Sequence, residues 1–281
     1  MEIKSLGQTN FNTVFEAFNQ AFADYEMQLN KAQLQIMLKR RGFNPDLSFA
    51  AFDNEKIVAF TLNGIDRFKE IPTAYDTGTG TLKDYRGQGL ATQIFEYSLP
   101  FLQNAGIGQY LLEVLQHNTK AVSVYRNLGF EVTREFYYSM QKNEDIDITK
   151  IDSTHTIQPI STLQLDALSV FWDFCPSWQN SLESIRRTTD DFIYLGVFID
   201  KQIVGYSVFE PVSGDVTQIA VDKKYRRNSI ASVLLKEMVR LNKNSILKIV
   251  NTDIQCDSIT EWIQARNIEI KGKQFEMILK F

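Results

Sequence analysis

The chain has 281 residues, a length that suits two domains better than one. Hydrophobic residues make up 44% and charged residues 23%, enough to bury an ordinary core in either half. A net charge of −4 argues against a nucleic-acid partner held through phosphates, and two cysteines with two histidines in no ligand spacing argue against a metal.

In chain order, "TVFEAFNQAFADY" reads as an amphipathic helix. "SFAAFDNEKIVAFTLNGI" is two strand runs around the polar turn Asp53-Asn54-Glu55. "GTGTLKDYRGQGLA" is a strand running into a turn, and the helix after it carries Ile94, Leu99 and Leu102 near helical spacing. "QYLLEVL" is a short strand, followed by a helix and a closing strand in "NTKAVSVYRNLGFEV". The polar stretch "QKNEDIDITKIDST" is the one obvious linker.

After the linker the same order returns. "LDALSVFWDF" is helical in pattern, and "YLGVFIDKQIVGYSVFE" is a strand pair. "TQIAVDKKYRRNSIA" is again a strand, a Tyr-Arg turn and a helix, here with Val233, Leu234, Met238 and Leu241. "ILKIVNT" and "CDSITEWIQARNIEI" complete the copy. Ile57-Val58-Ala59-Phe60 matches Ile203-Val204-Gly205-Tyr206. The expectation is an α/β (α+β) protein of two tandem domains, residues 1–141 and 155–281, joined by a linker at 142–154. The opening "MEIKSLGQTNF" is not a secretory signal, and no run approaches the roughly 18 apolar residues of a membrane span, so the expected place is the cytoplasm.

Three signatures lie in order between residues 75 and 138: Arg86-Gly87-Gln88-Gly89-Leu90-Ala91, then Leu112-Glu113-Val114 with Asn118, then Ala121, Tyr125, Gly129 and Phe130. Together they resemble the GCN5-related N-acetyltransferase (GNAT) superfamily, in tandem. The resemblance implies, for each domain, a mostly antiparallel mixed sheet with a splayed central strand pair and helices on both faces. It also implies acetyl transfer from acetyl-CoA, as co-substrate, to an amine, with no metal.

The loop fits that implication physically. The first N–H groups of a helix have no intrahelical partner, and the helix dipole is positive there. Glycine lets a diphosphate come close to the backbone. The N–H groups of Gly87 through Thr92 are the expected donors, and Arg86 belongs to the motif. A Walker loop would need a Gly-Lys-Ser/Thr ending that is absent. Gly78 and Gly80 are odd in a strand and mark a bulge or a close approach. The resemblance adds that the strand backbone at Thr79, Gly80 and Thr81 takes the pantetheine arm.

The resemblance assigns Tyr125 as the acid that protonates the leaving thiolate and Glu113 as the candidate base, with Asp76 and His117 as alternatives. Asn118 matches a pantetheine ligand, and by position it is equally a helix cap. The acceptor is an amine on a small molecule or a protein. Segments "MQLNKAQLQIMLKRRGFNPDL" and "RFKEIPTAYD" are expected to face it. No nucleic acid or membrane is expected as a partner, and the chain is expected to be a monomer or homodimer.

The second half departs from the pattern. Ser229 stands at the Gly89 place, and ungapped alignment sets Asn251, Cys256 and Ile263 at those of Glu113, Asn118 and Tyr125. It is expected to keep the fold without the chemistry. The alternative for the whole chain is an acyl-CoA-binding sensor or scaffold without turnover.

Overall fold

The computed structural model describes residues 1–24, 28–149, 151 and 155–281. Of the expected linker, residues 150 and 152–154 lie outside the described residues, as does Met27 of the first acceptor segment. The chain forms two compact units. One is Met1–Val114 with Asn118–Thr133 and Glu276–Phe281; the other is Leu115–His117 with Arg134–Phe275.

The first unit contains β1 (Glu2–Ser5), α1 (Phe11–Ala21), α2 (Lys31–Arg41), β2 (Phe49–Asp53), β3 (Lys56–Phe68) and β4 (Ile71–Thr81). α3 (Leu90–Asn104), β5 (Gln109–Leu115), α4 (Thr119–Asn127) and the start of β6 (Glu131–Lys142) follow. The helix ends are written locally. Asn10 caps α1 by accepting from the Asn12 N–H. Asn30 and Gln33 form a reciprocal capping box on α2, which stops at Gly42 with φ 80°. β1, β2, β3 and β4 pair antiparallel in that order, and β4 pairs parallel with β5.

Both faces of this sheet are covered. Phe60 and Leu62 pack with Val14, Ala17, Leu34 and Leu38 of α1 and α2. Phe49, Ala51 and Ala59 pack with Leu90 and Ile94 of α3. Gly80 belongs to this packing: a Cβ there would lie 2.6 Å from Phe60 Cζ and 3.0 Å from Ala21 Cβ. Gly80→Ala is therefore expected to destabilise the protein by about 1–3 kcal/mol, as overpacking does. Urea denaturation reads this, and an unchanged midpoint would mean that Phe60 yields without cost.

The second unit repeats the plan. It contains β7 (Thr156–Pro159), α5 (Leu165–Leu168), α6 (Leu182–Arg187), β8 (Ile193–Ile199), β9 (Gln202–Glu210) and β10 (Asp215–Val221). α7 (Ile230–Leu241), β11 (Ile246–Asp253), α8 (Asp257–Ala265) and most of β12 (Glu269–Lys280) complete it. β7, β8, β9 and β10 pair antiparallel in order, and β10 pairs parallel with β11. This is the pairing sequence of the first unit, so the duplication read from the landmarks is a duplication of topology. Residues 136–142 of β6 pair with β11, which is why they pack in the second unit although all but Lys142 belong to the expected first domain.

One element differs from its pattern. "LDALSVFWDF" gives a single α turn and a 3₁₀ turn at Ser169–Phe171. Trp172 is extended, with its indole N–H donating to the Tyr206 hydroxyl at 2.6 Å, and this tertiary bond takes the place of continued helix. Among the described residues, no helix is long and apolar enough to cross a membrane.

Candidate functional site

β4 and β5 pair at Thr73↔Gln109, Ala74↔Tyr110 and Tyr75↔Leu111. Just beyond, β4 bulges: Leu62 partners Gly78 while Asn63 partners Asp76, so Thr77 is the extra residue. The bulge re-aims Asp76. Its carboxylate accepts from the Gly78 N–H at 2.9 Å, the Thr79 hydroxyl at 2.8 Å and the Tyr125 hydroxyl at 3.1 Å. Tyr125 projects from α4 and packs edge-on against Phe130, with ring centroids 5.6 Å apart. Asp76, Thr79 and Tyr125, with Ala91, Phe95 and Tyr110, line a space of about 10 Å³.

Burial holds the Asp76 carboxyl above the ordinary carboxylate range, against the lowering effect of the Thr79, Tyr125 and Gly78 bonds. Such a group binds its proton more tightly folded than unfolded. Its contribution to stability is present at low pH and is lost as pH rises from about 4 through the raised value. Asp76→Asn carries no such proton. The stability of the native chain relative to this variant should therefore fall across that window. Urea midpoints at several pH values test it, and a relative stability that rises with pH would mean that the hydrogen bonds outweigh burial.

The loop after β4 is shaped by Arg86. Its guanidinium donates to the Thr81 carbonyl at 3.1 Å, the Ala21 carbonyl at 2.9 Å and Asp24 at 3.3 Å. Arg86 thus ties the loop to β4 and to the end of α1. Gly87 and Gly89 are left-handed, with φ 78° and 73°. Among the described residues, a Cβ on Gly87 would meet nothing within 4 Å, and one on Gly89 would meet only Gln93 Nε2 at 3.7 Å. The first hydrogen bond of α3 runs from the Gln93 N–H to the Gly89 carbonyl, so the N–H groups of Leu90, Ala91 and Thr92 precede the ladder. The residues present fit a diphosphate: open space above glycine, at the positive end of a helix.

Glu113, on β5, accepts from the Tyr75 hydroxyl at 3.2 Å. Burial, and then the Glu113 charge, push the Tyr75 phenol well up. His117 belongs by contacts to the other unit. Asn118 caps α4, its side-chain oxygen accepting from the Ala121 N–H at 3.3 Å. An asparagine caps through oxygen and keeps its NH₂ as a donor, so capping and ligand binding are compatible roles. Thr79 is turned toward Asp76 and Thr61. Of the expected acceptor segments, residues 31–41 are helix α2, and residues 67–76 are the end of β3, a turn at the left-handed Lys69 and Glu70, and the start of β4.

The same geometry recurs in the second unit with other side chains. Arg227 and Ser229 hold φ 65° and 62° where the glycines stood. The Val233 N–H donates to the Ser229 carbonyl, as Gln93 does to Gly89. β10 bulges at Thr217, between Val216 and Gln218, matching the β4 bulge. By this register Val216 stands for Asp76. Here the splay opens into a cavity of about 700 Å³, which sequence reasoning did not anticipate. Leu235, Ile263 and Ile268 stand for Phe95, Tyr125 and Phe130 in the sequence, but all three are buried in the core and none lines this cavity.

A family model described as "Acetyltransferase (GNAT) family" matches residues 11–130 and 157–255. N-alpha-acetyltransferase 30 of Schizosaccharomyces pombe is 33% identical over 87 residues, which cover 31% of this chain and 58% of that protein. "Probable N-acetyltransferase san" of Drosophila melanogaster is 28% identical over 106 residues, covering 37% of this chain and 58% of that protein. The chain thus spans little more than half the length of these relatives. A solved tandem GNAT protein from the clavulanic acid biosynthesis pathway shares the fold, with TM-score 0.74 at 10% identity, over 99% of this chain and 98% of that one.

Proposed function

The chain belongs to the acetyltransferase (GNAT) family, and on that premise we propose that its first half moves an acetyl group from acetyl-CoA to a primary amine. The observation that carries the proposal is the loop of left-handed, uncrowded Gly87 and Gly89 ahead of α3, beside the strands β4 and β5, whose pairing stops at Tyr75↔Leu111, with Tyr125 of α4 bonded to Asp76 of β4. In this reading the N–H groups from Gly87 to Thr92 hold the diphosphate. The β4 backbone at Thr79, Gly80 and Thr81 and the Asn118 side chain hold the pantetheine.

The amine nitrogen forms a bond to the thioester carbonyl carbon as the carbon–sulfur bond breaks. Sulfur takes the phenolic proton of Tyr125, and the amine gives up its own proton to a carboxylate. Glu113 is the candidate base. Asp76 stands behind the Tyr125 hydroxyl and is placed to restore its proton. A positioned acid or base of this kind contributes about 10²–10⁴-fold. The relatives' names make a protein N-terminus one class of acceptor to try, beside small amines.

A second reading, binding without turnover, is favoured by the small space at Tyr125. Both readings expect one strong acetyl-CoA site per chain, in the first half. Calorimetric titration of the full chain tests this. A stoichiometry near two for acetyl-CoA would show that the second half takes the same ligand equally well.

A further inference from the structure

We propose that the second half is a non-catalytic binding site for an amphiphilic anion with an aliphatic tail, an acyl chain of medium length on a charged head. The inference is independent of catalysis by the first half.

The cavity of about 700 Å³ lies wholly in the second unit, and its size is in the range of sites for small organic ligands. Its floor and walls include Val216, Ile249, Ile230, Phe171, Trp172 and Trp262. The polar groups among them are engaged with one another. Trp172 donates to Tyr206 at 2.6 Å, Tyr206 to Gln218 at 2.9 Å, and Gln218 to the Asn180 carbonyl at 2.7 Å. Asp173 at the rim is matched by Arg226 and Ser258, each at 3.0 Å. Most of what the lining offers a guest is apolar contact, worth about 25 cal/mol per Å² removed from water.

The first half differs at the same place in the fold. There the bulged strand presents Asp76 to Tyr125, a polar pair suited to proton transfer. Here the same register presents Val216 to the cavity, while Ile263, at the tyrosine's place, is buried in the core and is not among the residues that line it. A reactive acetyl group gains nothing from such surroundings, whereas a longer acyl chain gains with each buried methylene, about 0.8 kcal/mol. The mouth keeps the features that favour a negative head. Arg227 is exposed there, and the N–H groups of Ile230, Ala231 and Ser232 precede the first hydrogen bond of α7.

The test is equilibrium binding to the full chain of acetyl-CoA, octanoyl-CoA and free octanoate, in the native chain and in two variants. Gly89→Val disables the first half's loop. Ile219→Trp fills the cavity, which Ile219 lines. Octanoyl-CoA is expected to bind Gly89→Val one to one, at least tenfold more tightly than acetyl-CoA, and to lose at least tenfold when Ile219→Trp is added in the Gly89→Val chain. Octanoate binding at the same site would identify a free carboxylate as sufficient head; octanoyl-CoA alone would require the larger anion. If Ile219→Trp does not fold, Arg227→Glu, at an exposed position, must weaken binding several-fold. The inference is overturned if neither octanoyl ligand binds, if Gly89→Val abolishes octanoyl-CoA binding, or if the folded cavity variants leave it unchanged.

Discussion

Tyr125→Phe is expected to lower kcat by about 10²–10⁴-fold, the range of a positioned acid, while acetyl-CoA affinity stays within about twofold. The ring is retained, so its edge-on contact with Phe130 and the helix α4 around it survive. What disappears is the hydroxyl bonded to Asp76 at 3.1 Å. A proton that is needed only as the carbon–sulfur bond breaks affects the transition state and leaves the bound ground state alone, so the loss falls on kcat. Steady-state kinetics with direct binding measurements separate the two. Unaltered turnover at every pH would make Tyr125 a packing residue.

Gly89→Val is expected to weaken acetyl-CoA binding by about 10- to 100-fold, since charge-assisted hydrogen bonds of about 1.5–3 kcal/mol are at stake. Two effects add. Gly89 holds φ 73°, a conformation that costs a residue with a Cβ about 1–2 kcal/mol, so the loop shifts. The new side chain also fills space that is open above the N–H groups of Leu90, Ala91 and Thr92. The chain should still fold, because the position is exposed. Calorimetry reads the affinity, and circular dichroism checks the fold. Full binding in a folded variant would make the loop a turn and nothing more.

The fold was legible because two signals agree in both halves. Turn residues at Asp53-Asn54-Glu55 and the apolar runs around them mark the strand pairs, and the Tyr-Arg turn marks the passage into α3 and α7. The glycine loop was legible because positive φ selects residue type. Residue type does not mark the second loop in the same way. Arg227 and Ser229 hold left-handed conformations that sequence alone would not assign to them. Their loop keeps the backbone shape although its glycines are gone.

The cluster around Tyr125 was less legible. Asp76 meets Tyr125 across 49 residues of chain, and only the bulge at Thr77 turns it that way. Gly80 shows the opposite case. Read beside Thr79 and Thr81 it suggests a ligand's approach, yet the atoms nearest its missing Cβ belong to Phe60 and Ala21. The 700 Å³ cavity left no motif, because its lining is gathered from residues far apart in the chain, such as Phe171, Val216 and Trp262.

The most direct test of acetyl transfer by the first half is thiol release from acetyl-CoA, measured with mass spectrometry of the amine, across a panel of small amines and N-terminal peptides. The account predicts that at least one amine drives release, that N-acetylated product appears in equal amount, and that both fall together by about 10²-fold or more in Tyr125→Phe. Tight acetyl-CoA binding with no amine-dependent release from any member of the panel, or release that Tyr125→Phe leaves intact, would contradict it.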